Sequence, residues 1–314
     1  LNPQPSSLPK EIILSKEVAR ALQGGDSVVA LESTVITHGL PYPENLALAR
    51  DLETIITGEN SVPATIAVIQ GNLHVGIDSS QLEGLARNNS NWKISLRDFA
   101  PAITQKASGG TTVAGTMFIA EKVGIQIFAT GGIGGVHRDA PFDVSADLTQ
   151  LSRCRVVVVC AGAKAILDLP ATIEKLETFG IPVIGYQTNE FPAFYSRESG
   201  LPVSTVAESP EEVAEIVKAH WRIGSKSSVL VVVPPPKEVA IPYKEIEKSI
   251  QQALEEAKKH NIRGQAVTPF LLSKVSEITK GKSLKTNLGL LKNNAFVASK
   301  IAPFLYPPKR IKSV

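Results

Sequence analysis

A lysine, a glutamate and a cluster of aspartates stand at positions where they could do chemistry. Lys164 follows the run VVVVCAGA, so it leaves an apolar strand among small residues. A lysine there is a candidate nucleophile toward a carbonyl, through its neutral amine; the ordinary alternative keeps its ammonium in water. Glu32 follows SVVAL, and a carboxyl at the end of an apolar strand is a candidate general acid. Its alternative is to cap a helix or pair with a base. Asp143 and Asp147 stand four apart around Ser145, with Asp139 and His137 just before them. On a helix that spacing puts both carboxylates on one face, and such oxygen donors suit Mg²⁺ or Mn²⁺. Capping of a helix by Asp143 or Ser145 is compatible with that reading.

Two glycine-bearing segments accompany these residues. Ser108-Gly109-Gly110-Thr111-Thr112 is expected to open a helix and to offer a phosphate cradle at its start, with Thr112 as a contact. Lys93 and Arg97 would add positive charge, or form a solvated rim. The stretch Phe128–Asp147 holds Gly131, Gly132, Gly134 and Gly135, whose backbone would allow close approach to a ligand. Neither segment has P-loop spacing, and TGGIGG lacks the acidic residue that would complete a dinucleotide fingerprint. No nucleophile elbow or Ser-His-Asp order occurs. His38 reads as a hydrogen-bonded structural residue, and Cys160 as a small packed hydrophobe.

The elements that must position these residues alternate between strand and helix. Short apolar runs at Ser27–Leu31, Ala64–Ile69, Ile125–Ala129, Arg155–Cys160, Val183–Gly185 and Ser228–Val233 read as buried strands. Leu73–Val75 reads as a hairpin return and Trp92–Ser95 as a brief strand. Helical patterns fill the gaps, at about Lys16–Leu22, from Pro43 to Gly58, near Ser80–Arg87, to about Lys122, from Ala171 to Phe179 and from Pro210 to Trp221. From Tyr243 onward the chain is mostly helical, with Pro269 opening one helix and Ser283 capping a last long one. This order predicts an α/β fold: a three-layer α/β/α sandwich around a largely parallel sheet, with a helical C-terminal region. Residues 1–9 read as an irregular arm and 10–314 as a single domain. Glu32, the 130–147 stretch and Lys164 each follow a strand at its carboxyl end, where sites in such sheets gather.

The composition excludes several classes of function. A net charge of +3, without a basic run or aromatic stacking platform, speaks against nucleic-acid and membrane partners. No apolar run is long enough to cross a membrane as a helix. Two cysteines outside any CxxC spacing point to a reducing compartment. The expectation is a soluble intracellular protein, cytoplasmic by default; an address preceding Leu1 would redirect it to a peroxisome or mitochondrion. Chemistry alone therefore gives an α/β enzyme for a small phosphorylated substrate.

Longer motifs carry a resemblance. LESTVITHGLPYPEN (31–45), VPATIAVIQG (62–71), SGGTTVAGTM (108–117), FATGGIGGVHR (128–138), FDVSADL (142–148), CAGAKAILDLPATIEKLETFGIPVIGYQT (160–188), TPFLL (268–272) and SLKTN (283–287) together resemble the pseudouridine-5′-phosphate glycosidases, the indigoidine synthase A family. The resemblance covers about residues 10–305. It implies cleavage of pseudouridine 5′-phosphate to uracil and ribose 5-phosphate through a C–C bond. Lys164, in CAGAK, would form a Schiff base at C1′ of the opened ribose, and Glu32, in LEST, would protonate the departing uracil carbon. Asp143 would bind the metal, one divalent ion per subunit and usually Mn²⁺, with water completing its shell. Lys93, Val113, Ser145, Ala146, Asp147 and Asn287 would touch substrate, and Thr112 and His137 are carried with them. The family also implies a homotrimer. Two other readings stand beside it: a Schiff-base aldolase or lyase on another sugar phosphate, and a non-catalytic nucleotide-binding module.

Overall fold

The structure, a computed structural model, describes residues 8–138, 140–262 and 267–306; Asp139 and the first seven residues of the arm lie outside them. The strands in chain order are β1 (Ile12–Leu14), β2 (Val28–Leu31), β3 (Val62–Ile69), β4 (Asn72–Val75), β5 (Trp92–Ile94), β6 (Gly109–Thr111), β7 (Ile127–Ala129), β8 (Val136–His137), β9 (Ala140–Val144), β10 (Val157–Cys160), β11 (Leu167–Asp168), β12 (Val183–Tyr186), β13 (Thr205–Ala207) and β14 (Val229–Val232). The helices are α1 (Lys16–Gly24), α2 (Glu44–Gly58), α3 (Ser79–Arg87), α4 (Phe99–Thr104), α5 (Val113–Val123), α6 (Ala146–Leu151), α7 (Leu169–Thr178), α8 (Pro210–Arg222), α9 (Tyr243–Lys259), α10 (Val267–Ile278) and α11 (Lys282–Leu305).

Eleven strands form one sheet in the order β1-β4-β3-β2-β7-β10-β14-β12-β13, with β6 joining β3 and β5 joining β6. Every pairing in it is parallel except β3 with β4 and β3 with β6. The central strands β2, β7, β10 and β14 are buried throughout, which is why they read as continuous apolar runs and not as alternating ones. Helix α11 lies across β2, β7 and β10 between α2 and α8, while α5 covers β2, β3 and β7 beside α6. The expected sandwich, parallel sheet and helical C-terminal region are therefore all present. Among the described residues, no helix is long and apolar enough to cross a membrane.

Local departures from the sequence reading cluster around the site. Gly109–Thr111 is a strand, not a helix start, and α5 begins only after Thr112. The glycines serve strand packing: a Cβ on Gly109 would run into the carbonyl of Trp92, and one on Gly110 into Thr37 and the Ser33 carbonyl. Asp143 does not share a helix with Asp147. It lies on β9, Ser145 caps the next helix, and Asp147 occupies the first turn of α6. The four-residue spacing fits a helix but equally spans a strand end and a cap, and the β8–β9–β11 sheet claims Asp143 for the strand. Residues 35–39 form a single π-type turn, and Leu96–Asp98 and α4 add short helices with no sequence periodicity of their own. Helix α11 starts at Lys282 after the left-handed Gly281, so Ser283 is a buried residue of its first turn and not its cap.

Candidate active site

The carboxyl ends of β2, β7 and β10 deliver Glu32, Thr130 and the Ala161–Lys164 loop to one side of the sheet. They open onto a cavity of about 440 Å³. Glu32, Lys93, Thr112, Val113, His137, Asp143, Ser145, Ala146, Asp147, Lys164 and Asn287 all line it, so the structure brings the sequence candidates together. Its apolar wall is made by Ile166, Phe194, Leu272 and Leu291, none of which the sequence singled out.

The LEST segment fixes Glu32. The Ser33 hydroxyl donates to the Ile66 carbonyl (2.6 Å) and accepts from the Thr111 amide (2.9 Å), stitching the end of β2 to β3 and β6. Glu32 itself is 9% exposed. Its Oε2 lies 2.7 Å from the Thr34 hydroxyl, and its Oε1 takes a short hydrogen bond from the Thr130 hydroxyl. Thr130 is held in turn by Asn294 of α11, whose Nδ2 donates to its carbonyl at 2.8 Å.

The Lys164 loop runs alongside the glycine loop. Ala161 donates to the Gly131 carbonyl (2.9 Å), Ile133 to the Gly162 carbonyl (3.0 Å) and Lys164 to the Ile133 carbonyl (3.0 Å). Arg138 fastens the far side: its guanidinium donates to the Ala165 carbonyl (3.0 Å), the Leu167 carbonyl (3.1 Å) and the Glu247 carboxylate of α9. Burial alone would push the Glu247 carboxyl up, but the Arg138 hydrogen bonds reverse this and leave it below the usual carboxylate range. Lys164 is half-buried, and its side-chain nitrogen has no hydrogen-bond or ion-pair partner among the described residues. Burial lowers the pKa of Lys93, the neighbouring Lys164 lowers it further, and Glu32 and Asp147 partly offset both. His38 is held low by burial and then by Lys93. Its Nδ1 meets the Thr37 hydroxyl at 2.7 Å, in keeping with a structural role.

Asp147 behaves differently from an open ligand. It is 5% exposed, and its two oxygens accept from the Ala114 amide (2.9 Å) and the Gly134 amide (2.7 Å). It therefore clasps the start of α5 to the glycine loop. Gly134 is required there, because a Cβ would run into Ser145 Oγ and lie 2.8 Å from Asp147 Oδ2. With Gly115 bound to Thr112 Oγ1 and Ala114 to Asp147, the first-turn amide of α5 left without a partner among the described residues is that of Val113. A free amide at a helix start is suited to an anionic oxygen. Lys93 sits beside it because β5 pairs with β6, Lys93 opposite Gly110.

Asp143 is exposed, and the described residues contain no group of three metal-ligating side chains. The donor set fits only an ion held through one carboxylate, with water and substrate oxygens filling the remaining positions, an arrangement usual for Mg²⁺-like ions. Cys160 is fully buried, which pushes its thiol up to about 12 and leaves it inert. The residues that the sequence reading missed are Thr34, Thr130, Arg138, Phe194 and Asn294. A threonine or an arginine next to a motif carries no periodic signal, and only the fold shows what it faces.

Comparison with known proteins places the chain among relatives over nearly its whole length. The family model for indigoidine synthase A like protein matches residues 17–303. A pseudouridine-5′-phosphate glycosidase of Caldanaerobacter subterraneus is 51% identical over 293 residues, 93% of this chain and 95% of its own. One from Solibacter usitatus is 51% identical over 294 residues, 93% of this chain and 98% of its own. Among solved structures, an indigoidine synthase A-like protein of Thermotoga maritima superposes with a TM-score of 0.88 at 36% identity, covering 96% of this chain and 99% of that one. The prealnumycin C-glycosynthase AlnA, solved with ribulose 5-phosphate, gives 0.87 at 38% identity, covering 96% and 98%.

Proposed function

The chain belongs to the indigoidine synthase A like family, and from that premise we propose that it is a pseudouridine-5′-phosphate glycosidase using a lysine Schiff base. The observation that carries the reading is the convergence of Lys164 and Glu32 on one cavity, from the parallel strands β10 and β2 on either side of β7, with an unpartnered lysine nitrogen.

The bond to be broken joins C1′ of the ribose to C5 of uracil. Protonating a heteroatom cannot release such a base, so the electrons need a sink. The Lys164 nitrogen bonds to C1′ as the C1′–O4′ bond breaks, and the proton the amine gives up leaves O4′ as a hydroxyl, so the ribose opens. Glu32 gives a proton to C5, the nitrogen lone pair forms the C1′=N bond, and the C1′–C5 pair returns to the uracil ring. Uracil leaves neutral, Glu32 is left as a carboxylate, and water hydrolyses the imine to ribose 5-phosphate and free Lys164. Lys93 and the Val113 amide are suited to the phosphate. Ser145, Ala146, Thr112, His137 and Asn287 also line the cavity as candidate substrate contacts, and Asn287 has no side-chain partner among the described residues. A divalent ion on Asp143, Mn²⁺ by family resemblance, would neutralise substrate oxygen charge. The same resemblance implies a homotrimer, which size-exclusion light scattering would test.

Cleavage and synthesis share one transition state. The 38% identical C-glycosynthase bound to a pentulose phosphate therefore supports a second reading, in which the same site runs toward bond formation. Incubation with pseudouridine 5′-phosphate and Mn²⁺ should release uracil, and borohydride should trap a ribose phosphate on Lys164. Absence of both would reject the glycosidase. An adduct without uracil release would favour an aldolase or lyase on another sugar phosphate. Full function in Lys164→Ala would favour a binding module.

A further inference from the structure

The hydrogen bonds around Glu32 do not balance if its carboxyl is only an acceptor. Thr34 has one hydroxyl proton but lies 2.7 Å from Glu32 Oε2 and 2.6 Å from the Thr111 carbonyl, both of them acceptors. Thr34, Thr111 and Thr130 are all buried, and leaving a buried acceptor pair without a proton between them is costly. One arrangement satisfies every atom. Thr34 gives its proton to the Thr111 carbonyl, Glu32 carries a proton on Oε2 and gives it to Thr34 Oγ1, and Thr130 donates to Oε1.

We propose that Thr34 and Thr130 are positioning residues that hold Glu32 as the acid, with Thr34 acting as a two-way hydroxyl. Before transfer, Thr34 accepts from Glu32. Once the proton has gone to the base carbon, Oε2 is anionic, and the Thr34 hydroxyl swings from the Thr111 carbonyl to donate to it. Thr130 supports Oε1 in both states. No side chain has to move: a single hydroxyl rotation links the two forms, and in the second the Thr111 carbonyl gives up its donor to Oε2, which favours return of a proton to Glu32. The lining cations Lys93 and Lys164 and the Asp147 carboxylate face the same cavity, but none is hydrogen-bonded to Glu32. Both positions are invisible as chemistry in the sequence, since a threonine two residues after a glutamate and another 98 residues away share no pattern.

This inference rests on the Schiff-base reading, and the experiment separates the two. Wild type, Thr34→Val, Thr34→Ser and Thr130→Val are each assayed twice. One assay traps ribose 5-phosphate on Lys164 with borohydride, a step that needs no proton on the base. The other measures uracil release from pseudouridine 5′-phosphate. The expected result is normal trapping in all four, with uracil release lowered about 10- to 100-fold in Thr34→Val, the loss of one hydrogen bond to a charged group. KM should hold, and Thr34→Ser should stay close to wild type. Equal loss of trapping and release in Thr34→Val would mark a merely structural role and overturn the proposal, as would unchanged release. If Thr34→Val does not fold, Thr130→Val carries the same test on the other oxygen. No trapping in wild type would instead reject the Schiff base itself.

Discussion

Asp147 offers a direct test of what the buried carboxylate in the cavity wall does. Its two oxygens hold the Ala114 amide at 2.9 Å and the Gly134 amide at 2.7 Å, at 5% exposure. A hydrogen bond to a charged group contributes about 1.5–3 kcal/mol, and a buried donor left unpaired costs a similar amount. Asp147→Asn keeps one acceptor oxygen but turns an NH₂ toward the second amide, so the variant should lose about 2–4 kcal/mol of folding stability. Asp147→Ala abandons both amides and should lose about 3–5 kcal/mol. Equilibrium unfolding in urea reads this as a lower midpoint at unchanged slope. Family resemblance casts Asp147 as a substrate contact, and the two roles separate cleanly. If Asp147→Asn unfolds at the wild-type midpoint and only raises KM, the clasp argument is wrong.

Three further outcomes follow from the same geometry. Arg138→Gln removes the donors that hold the Ala165 and Leu167 carbonyls, so kcat should fall about tenfold or more with a smaller change in KM; steady-state kinetics equal to wild type would refute the positioning role. Burial lowers His38, His74 and His220 first of all causes, so below the ordinary imidazole value of about 6.5 the unfolded chain binds protons that the folded chain refuses. Stability should therefore be full above that pH and fall as pH drops through and below it; a urea midpoint that is flat between pH 8 and 5.5 would contradict this. Asp143→Ala should shift the Mn²⁺ activation curve to at least tenfold higher concentration, and an unchanged titration would assign the exposed aspartate a purely structural place.

The architecture was largely legible in the sequence, because strands buried on both faces must be apolar without interruption. Val157–Cys160 and Val229–Val232 could hardly be anything else. The carboxyl ends of β2 and β10 then marked Glu32 and Lys164 as candidates for one site, and both line the same cavity. The reading failed at short elements whose identity depends on partners far along the chain. Gly109–Thr111 looked like a loop opening a helix, yet it is a strand because it pairs with β3 and β5, and Trp92 of β5 comes close enough to Gly109 to exclude a Cβ. The Asp143–Asp147 spacing looked helical, yet a cross-strand pairing takes Asp143 and a serine cap begins the helix afterwards.

By itself, then, the sequence determined the class of fold and the family and nominated Lys164 and Glu32 for chemistry, because each is written in contiguous residues. The tertiary structure alone decided how those groups are held. Asp147 became a clasp because two backbone amides from separate loops point at it. Thr34 and Thr130 became partners of Glu32 because strand order sets β2 beside β7. Hydrogen-bond direction depends on which donors and acceptors meet in space, and residues far apart in the chain meet only once the sheet has formed.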